Sequence, residues 1–441
     1  SQRKVKMNIL IVGSGAREHA IAKALHNSPK QKSLYCLATN NNPGLQKLCF
    51  DLQVVDINDN QIISRFAKEN HINLAIIGPE NPLANGLTDV LTGGGVQVVG
   101  PTKELSKIES SKSFARDLLR EYNIPACPQY KVFNSMKGVQ KFLDQLGNDF
   151  VIKYDGLAGG KGVKVSGDHL SSHKDALEYC EQLIQKGGPF VIEEKLIGEE
   201  FSLMSFSDGN SLKHMPAIQD HKRALDGDVG PNTGGMGTYS DADHSLPFLT
   251  NNEIKEAQKI NNLTASALKD KYGYGYKGVL YGGFITTSKG VKLIEYNARF
   301  GDPEAMNVLS LLDTDFIDVC LAITGGTLKN IDVNFLHMAS VCKYAVPKGY
   351  PDKPIKNEEI NIEKINNDDG LFYASVNSDN DKIILAGSRA VAVVAVANSI
   401  SKAEEVAEKE ISCIKGPLFH RKDIGKDFLI QRRVEHMRGL R

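Results

Sequence analysis

The chain has 441 residues, which is enough for about three domains of ordinary size around large buried cores. Its 53 basic and 53 acidic residues cancel, which excludes a strongly basic surface for nucleic acid and favours small-molecule partners. The seven cysteines form no Cys-x-x-Cys pair, and the opening apolar run MNILIVG is too short for a signal peptide or a membrane span, so we predict a cytoplasmic protein without a membrane partner.

Residues 1–109 are predicted to form a doubly wound parallel α/β domain, because short apolar runs alternate with amphipathic stretches. Gly-, Asn- and Pro-rich loops follow four of the runs, at residues 13–15, 40–44, 78–80 and 100–102. Ligands of such sheets bind outside the carboxyl ends of the strands. We therefore expect all four loops to face one crevice. The apolar runs are NILIVG, SLYCLA, LQVVDI, NLAIIG and VQVVG, and the stretches between them include AREHAIAKALH and IISRFAKEN.

The first of these loops begins the sequence Gly13-Ser14-Gly15-Ala16-Arg17-Glu18, which resembles a dinucleotide-binding turn. Glu18 replaces the third glycine of that pattern, and the second strand ends without an acidic residue for a ribose, so NAD binding is disfavoured. Backbone N–H groups at the start of a helix could still bind a phosphate. A tight turn without a ligand is the alternative.

Residues 110–330 are predicted to form a second, larger unit, with a small lobe at about 125–195. Within the lobe the run DGLAGGKGV, residues 155–163, has glycines that free the backbone to wrap phosphate oxygens, and Lys153 on the strand before it adds a charge. The spacing, the lack of Ser or Thr after Lys161 and the two flanking strands exclude a Walker A loop. A strand-loop-strand flap over phosphates is predicted, with an ordinary hairpin as the alternative.

Two further motifs carry charged residues beside glycines. The strand VIEE leads into KLIGEEFS, where the backbone could pair with an adenine edge and a carboxylate with a ribose, although a charged strand end is usually only solvated. QDHKR, residues 219–223, precedes the long Gly-rich loop GPNTGGMG, residues 230–237. Charges of both signs beside such a loop suit a site that closes over anionic substrates, whereas a plain surface loop is the alternative.

The run VKLIEYNARFGDPE, residues 291–304, is the most informative. On a regular strand, Leu293, Glu295, Asn297 and Arg299 share one face, while Ile294, Tyr296 and Ala298 face the other way. A carboxylate and an amide oxygen are suitable ligands for Mg²⁺. Arg299 could clamp a carboxylate or a phosphate. The solvent face of an edge strand is the alternative. From residue 331 to 441, short alternating strands and one helix predict a compact α+β domain.

Taken in order, the motifs resemble the ATP-grasp superfamily, and nearly the whole chain is similar to the phosphoribosylamine–glycine ligases. The resemblance implies a multidomain α/β protein with an N-terminal doubly wound parallel sheet, an ATP-grasp body with a mobile lobe and a small α+β C-terminal domain. The strings that carry it are GSGAREHA, GPENPL, VGPTKE, IKYDGLAGGKGV, IEEKLIGEE, QDHKRALDGDVGPNTGGMG, IEYNARFGDPE and FHRKDIG.

The resemblance also implies an activity: glycine is joined to phosphoribosylamine in de novo purine biosynthesis, through glycyl phosphate, with ATP consumed and Mg²⁺ (or Mn²⁺) bound. A monomer or a weak homo-oligomer is expected. The residues expected to bind ATP are Lys112, Lys153, Gly159, Gly160, Lys161, Gly162, Glu193, Glu194, Leu196 and Glu200. The residues expected to bind the substrates are Gly13, Ser14, Gly15, Glu80, Asp220, Lys222 and Arg299. Glu295 and Asn297 match metal ligands, and Lys153, Asp220 and Arg299 are the expected catalytic residues.

Three other functions remain as alternatives. Another ATP-grasp enzyme, such as a biotin-dependent carboxylase or a formate-using purine ligase, would share the ATP residues and differ in the acceptor. An NAD-dependent oxidoreductase is supported only by the first turn. A non-catalytic nucleotide sensor would lack the face formed by Glu295 and Asn297, which this chain has.

Overall fold

The computed structural model describes residues 6–158 and 162–441. It is a mixed α/β structure that contains a parallel sheet, a small antiparallel lobe, an antiparallel body sheet and a C-terminal α+β unit. No helix among the described residues is both long enough and apolar enough to cross a membrane.

The N-terminal sheet is five-stranded and parallel throughout, with the order β3-β2-β1-β4-β5. The chain adds strands on one side of β1 and then on the other, so a topological switch point lies between β1 and β4, the usual ligand position in such sheets. The predicted strands and helices of this region are confirmed. The elements are β1 (Met7–Val12), α1 (Ala16–His26), β2 (Lys32–Ala38), α2 (Pro43–Leu48), β3 (Asp51–Val54), α3 (Asn60–Glu69), β4 (Leu74–Ile77), α4 (Glu80–Ala84), α5 (Leu87–Gly93), β5 (Gln97–Val99), α6 (Lys107–Ser110) and α7 (Lys112–Glu121).

The Glu18 side chain fills the switch point itself. Its carboxylate accepts a hydrogen bond from the backbone N–H of Gly15 at 2.9 Å, and it pairs with Arg17 at 2.5 Å. A Cβ at Gly13 or Gly78 would lie 2.7 Å or 2.4 Å from this carboxylate, so both glycines make room for it. Glu18 therefore stands where a dinucleotide pyrophosphate would approach the turn, which argues against the NAD alternative.

The sequence predicted that all four loops of this sheet face one crevice, and this prediction is wrong. The 78–80 loop reaches the main cavity through Glu80. The 40–44 loop turns towards the C-terminal unit, where Asn42 donates to the Tyr373 carbonyl at 2.8 Å. The 100–102 loop packs on the body, with the Gly100 N–H donating to the Lys277 carbonyl at 3.1 Å. Tertiary packing between units, which the local pattern does not encode, redirects these two loops.

The lobe is a four-stranded antiparallel sheet of order β6-β9-β7-β8 backed by two helices. It has a hydrophobic core of its own, in which the Phe133 and Phe190 rings stack with 5.7 Å between their centroids. A separate core lets the lobe keep its shape independently of the body. Its elements are β6 (Tyr130–Phe133), α8 (Val139–Leu146), β7 (Phe150–Tyr154), β8 (Val163–Val165), α9 (His173–Gln185) and β9 (Phe190–Glu194).

The body is built on an antiparallel sheet of order β11-β10-β16-β17. The 22-residue helix α10 begins at a Thr250 cap that accepts from Glu253 N–H, and it ends at Gly273 in the left-handed region. The elements are β10 (Gly198–Asp208), β11 (Leu212–His214), β12 (Gln219–Asp220), β13 (Arg223–Leu225), β14 (Val229–Asn232), β15 (Gly237–Ser240), α10 (Asn251–Tyr272), β16 (Lys277–Thr287), β17 (Gly290–Asn297), α11 (Glu304–Leu311) and α12 (Phe316–Gly325).

A β-bulge at Ile294 corrects the predicted faces of β17. Leu293 pairs with Phe284 whereas Glu295 pairs with the adjacent Gly283, so one residue of β17 has no partner. Adjacent residues of β16 point to opposite faces, so Leu293 joins the buried core while Glu295 points to the other side. Ile294 lines the cavity, contrary to the expectation. The extra residue frees the Ile294 carbonyl for the site described below.

The C-terminal unit contributes most of a sheet of order β12-β15-β18-β23-β20, with β24 also paired to β18. The strands β12 and β15 precede residue 331, so this sheet joins the body to the C-terminal unit. The elements are β18 (Ala339–Pro347), β19 (Glu359–Ile360), β20 (Leu371–Tyr373), β21 (Val376–Asp379), β22 (Lys382–Leu385), β23 (Val391–Ala397), α13 (Ile400–Ile411), β24 (Leu418–Phe419) and α14 (Asp427–Leu440).

Candidate active site

A cavity of about 630 Å³ lies where the N-terminal sheet, the lobe, the body and the C-terminal unit meet. That volume is in the range of pockets that bind small molecules. Charged side chains of both signs line it, together with backbone of the Gly-rich loop. The cationic side chains are Arg17, Lys112, Lys153, Lys222, Arg223, Arg299 and Arg389, and the acidic side chains are Glu80, Glu109, Asp168, Glu200, Glu295, Asp302 and Glu304.

Lys153 is held on β7 by a buried ionic cluster. Its ammonium donates to the Ile294 carbonyl at 3.0 Å and pairs with Glu193, which also accepts from Arg116 at 2.8 and 3.2 Å. Burial lowers the pKa of Lys153, and Glu193 opposes that effect. Burial alone would raise the pKa of Glu193, but Arg116 and Lys153 together hold it below its ordinary value. Glu193, which was predicted to bind ATP, instead pairs with Lys153 and stabilises its charge.

Lys112 and Glu295 form the next pair, 3.0 Å apart at the cavity wall. The charge of Lys112 is the main cause that lowers the pKa of Glu295 to about 2, so this carboxylate is ionised at neutral pH. Asn297 follows on the same face. In the amide orientation that satisfies its neighbours, its nitrogen donates to Glu109 at 3.0 Å, which leaves its oxygen for another partner.

An ionised carboxylate beside a free amide oxygen is a donor set that fits Mg²⁺ or Mn²⁺, which bind few protein oxygens and complete their shell with water and phosphate. The facing residue on β16 is Gly283, so the preceding strand adds no carboxylate there. The described residues contain no cluster of three or more His, Cys, Asp or Glu side chains around one point. Glu295 and Asn297 therefore suit a cation that shares its remaining positions with a nucleotide.

Arg299 lies between two glutamates from the N-terminal region. Its guanidinium donates to Glu109 at 2.9 Å, and its Nε lies 3.4 Å from the Glu80 carboxylate. Burial would lower the pKa of Arg299, but both glutamates raise it, so it stays charged. Among the described residues, Nε of Arg299 has no hydrogen-bond partner although it is buried. This N–H is the natural donor for an anionic ligand in the cavity.

Asp220 ends β12, and Lys222 follows it by two residues. Lys222 pairs with Asp220 at 2.7 Å. The Lys222 side chain is half exposed; its partial desolvation opposes the charge, but Asp220 and Glu304 raise its pKa. Burial and Asp220 raise the pKa of Glu304, whose carboxylate accepts from the Tyr281 hydroxyl at 2.5 Å. Lys222 thus remains a cation at the cavity wall, while Asp220 is not among the lining side chains.

The C-terminal unit supplies Arg389, which the sequence analysis missed. Its guanidinium donates to the carbonyls of Gly235 and Asp302 at 3.0 and 3.3 Å, and it lies over the Tyr344 ring at 4.5 Å from the centroid. The Tyr344 hydroxyl donates to the Asp302 carboxylate at 2.5 Å. Asp302 stood in a quoted motif, but nothing in the sequence around Arg389 marks a distant partner.

The other predicted residues divide into those at the cavity and those away from it. Glu200 and Gly162 line the cavity, and burial raises the pKa of Glu200. Glu194 and Leu196 are not among the lining residues, and the Glu194 carboxylate accepts from the Gln129 N–H at 2.9 Å. The predicted ATP contacts Gly159, Gly160 and Lys161 lie outside the described residues.

The turn Gly13, Ser14 and Gly15 is also absent from the cavity lining. The Ser14 hydroxyl donates to the Asn40 side chain at 2.7 Å, the Gly13 N–H donates to the Leu37 carbonyl, and the Gly15 N–H is used by Glu18. This turn therefore braces the neighbouring loop. Arg17 and Glu109, which were not predicted, reach the cavity instead. Arg17 stands inside a quoted motif and Glu109 follows another, but neither position gave a signal of its own.

The chain matches known proteins over nearly all of its length. The phosphoribosylglycinamide synthetase N domain matches residues 7–109, its ATP-grasp (A) domain residues 110–305 and its C domain residues 340–427. The chain is 48% identical to the phosphoribosylamine–glycine ligase of Methanosarcina barkeri over 435 residues, 99% of this chain and 100% of that protein.

Solved structures give the same result for the fold. The crystal structure of phosphoribosylamine–glycine ligase from Thermotoga maritima matches with a TM-score of 0.80 at 27% identity, covering 95% of this chain and 100% of that one. The biotin carboxylase domain of the 2-oxoglutarate carboxylase from Hydrogenobacter thermophilus, crystallised with MgADP and bicarbonate, matches with a TM-score of 0.70 at 12% identity, covering 98% of this chain and 93% of that one. The second likeness concerns the fold alone.

The chain therefore belongs to the phosphoribosylamine–glycine ligase family, which confirms the resemblance seen in the motifs. It is an ADP-forming carbon–nitrogen ligase of purine biosynthesis with the ATP-grasp fold, a family that uses ATP and divalent metal ions.

Proposed function

We propose that this chain joins glycine to phosphoribosylamine through a glycyl phosphate intermediate, with the cavity residues in the roles given below. Three features that meet in one cavity carry the proposal: two lysines, an ionised carboxylate beside an amide oxygen, and an arginine whose buried Nε has no hydrogen-bond partner among the described residues. These are the groups needed to hold ATP phosphates, a cation and a small anionic acid side by side.

Lys153 and Lys112 would bind the phosphates of ATP, and Gly162 with the neighbouring Gly159, Gly160 and Lys161 would cover them. Glu200, which lines the cavity, would accept from the ribose, and the backbone of Glu194 and Leu196 would contact adenine. Glu193 supports this site indirectly, because it orients Lys153 and opposes the loss of its charge.

Glu295 and Asn297 would hold the divalent cation, for which Mg²⁺ is proposed and Mn²⁺ is a substitute. When bound, the cation neutralises phosphate charge and so favours attack by an anionic nucleophile. The ionised state of Glu295 prepares the site for it, since protonation does not compete at neutral pH.

Glycine is proposed to bind with its carboxylate at Arg299, whose buried Nε has no hydrogen-bond partner among the described residues. Glu80 lies beside that arginine and would receive the glycine ammonium. Lys222, kept charged by Asp220, would bind an anionic group of phosphoribosylamine. The Gly13–Gly15 turn would support this substrate site only by bracing the neighbouring loop, because its donors are already engaged.

The reaction would have two steps. A glycine carboxylate oxygen attacks the γ-phosphorus, the bond to the β,γ-bridging oxygen breaks, and ADP leaves. The amine nitrogen of phosphoribosylamine then attacks the carbonyl carbon, the carbon–oxygen bond to phosphate breaks, and the amine proton passes to the departing phosphate. The side chains position these groups and neutralise charge, so no nucleophilic side chain is required.

The remaining expectations are a cytoplasmic protein, no nucleic-acid or membrane partner, and a monomer or weak homo-oligomer. The balanced net charge and the small-molecule cavity support the view that small substrates are the partners.

The test is ADP release from ATP and Mg²⁺ with glycine, with and without freshly generated phosphoribosylamine, beside a Glu295→Ala variant. We expect ADP and glycinamide ribonucleotide in equal amounts only when both substrates are present, and neither in the variant. Turnover with bicarbonate or formate in place of glycine would overturn the proposed substrate.

A further inference from the structure

The hairpin of β13 and β14 touches the lobe across the mouth of the cavity. The Arg223 guanidinium lies 3.5 Å from the Asp168 carboxylate, and the side-chain amide of Asn232 lies 3.4 Å from Nε2 of His169. Asp168 and His169 follow β8 at the tip of the lobe, and all four residues line the cavity. The two contacts therefore bridge the lobe and the body where they face each other over the site.

The hairpin is fixed from behind by the FHRKDIG segment. The fully buried Arg421 pairs with Asp423 at 2.8 Å and with Asp228 of the hairpin turn at 3.0 Å, and it donates to the Arg223 carbonyl at 3.2 Å. Arg433 of α14 adds a second bond to Asp228 at 2.7 Å. The C-terminal unit thus holds the hairpin in place. The FHRKDIG motif therefore has a structural role in addition to any role in ATP binding.

The lobe side of the contact is also braced. Nδ1 of the His169 ring accepts from the Val165 backbone N–H at 3.0 Å, and the backbone N–H of His169 donates to the Val165 carbonyl at 2.9 Å. The turn therefore presents Asp168 and His169 as one unit. The Asp168–Arg223 pair is partly exposed, with 49% and 30% of the side-chain surfaces accessible. A partly exposed pair is weak and easily broken, which suits a contact that forms and releases in every turnover.

We propose that Arg223 and Asn232 are positioning residues that hold the lobe closed over the transferring phosphoryl group and exclude water from the acyl phosphate. This role rests on the proposed function, since it requires a water-sensitive intermediate. If the latch is lost, water attacks glycyl phosphate, the carbonyl–phosphate link breaks, and glycine and phosphate are released without product. ATP is then hydrolysed with no net use of glycine.

The test compares Arg223→Ala and Asn232→Ala with wild type by the ratio of ADP to glycinamide ribonucleotide formed. The ratio is expected to rise at least about threefold in either variant as water enters the site. Arg65→Ala, an exposed arginine of α3, is the matched control and should keep the wild-type ratio. A wild-type ratio in both latch variants would overturn the proposal.

Charge reversal separates a latch from a general structural role. Asp168→Arg and Arg223→Glu each place like charges together and should raise the ratio, whereas the double variant should bring it back towards wild type. Two single effects that simply add in the double variant would refute a direct Asp168–Arg223 contact in the closed state.

A second readout does not depend on the proposed reaction. Hydrogen exchange of the backbone at residues 163–170 should slow when wild type binds Mg²⁺ and the non-hydrolysable analogue AMP-PNP, and Arg223→Ala should lose most of that protection. If wild type makes no glycinamide product, the proposed function fails while this measurement still decides the latch. Equal protection in wild type and variant would overturn it.

Discussion

Replacing Glu193 with Gln should damage both the stability of the lobe and its hold on ATP. The Glu193 carboxylate accepts from Arg116 at 2.8 and 3.2 Å and pairs with Lys153, and all three side chains are almost completely buried. Removing the negative charge leaves two buried cations without their partner. Breaking a buried ion pair in this way typically costs about 3–5 kcal/mol, and Gln keeps one acceptor, so we expect about 3 kcal/mol.

Urea unfolding followed by circular dichroism would measure this loss, with the m-value compared between variants. Glu405→Gln is the matched control: in the part of the chain that the structure describes, Glu405 pairs only with the exposed Lys402 at 3.2 Å, and its loss should cost less than about 0.5 kcal/mol. Glu193→Gln should also weaken ATP binding, and more so at higher pH. Burial lowers the pKa of Lys153 and the Glu193 charge opposes this, so without that charge Lys153 loses its proton more readily. Equal stability of the two variants would refute the reasoning.

Three further predictions concern the cavity and its support. Glu295→Gln should destabilise the protein near neutral pH, because it removes the ion pair with Lys112. The folded protein holds the pKa of Glu295 below its ordinary value of 4.5, so the difference in stability from wild type should disappear as the pH falls from 4.5 towards about 2. Urea unfolding midpoints across that pH range check this prediction. Arg299→Lys should raise KM for glycine at least about tenfold with a much smaller change in AMP-PNP affinity, since Lys cannot reproduce the planar donors; equal effects on both ligands would contradict this. Arg421→Met should cost about 3 kcal/mol, because the buried Asp423 carboxylate loses its cation while Asp228 keeps its bond to Arg433; urea unfolding measures the cost, and a value below about 1 kcal/mol would show that the buried pair is not needed.

The parallel sheet was predictable because its information is local. Each strand is a short apolar run that ends in a turn, and α1 repeats its apolar positions at helical spacing. Four of the six residues of β1, Ile9 to Val12, have no exposed surface. A fully buried parallel strand must be apolar throughout, so the pattern and the element coincide.

The bulge at Ile294 was not predictable from the same kind of pattern. Strict alternation along β17 placed Leu293 with Glu295, but the unpaired residue moves Leu293 to the core and the Ile294 carbonyl to Lys153 and Arg116. An apolar residue carries no mark that distinguishes a bulged position from a regular one. Glu295 and Asn297 nevertheless both line the cavity, because they follow the bulge and share one face of β17.

Residues that act across long sequence distances were also missed. Arg389 reaches Asp302 and Gly235 only because β15 and β18 pair across the boundary of two units. Glu109 reaches Arg299 from a short helix with no motif of its own. Such contacts depend on how the sheets assemble, and a single sequence gives no local sign of that assembly.

The transfer of oxygen from glycine to phosphate tests the central proposal most directly. Glycine labelled with ¹⁸O in its carboxylate is supplied with ATP, Mg²⁺ and phosphoribosylamine, and the released phosphate is analysed by mass spectrometry. If a glycyl phosphate forms at Arg299 and Glu295 as proposed, each released phosphate carries a single ¹⁸O atom and the product retains the other. Formation of glycinamide ribonucleotide from the labelled glycine together with unlabelled phosphate would contradict the mechanism.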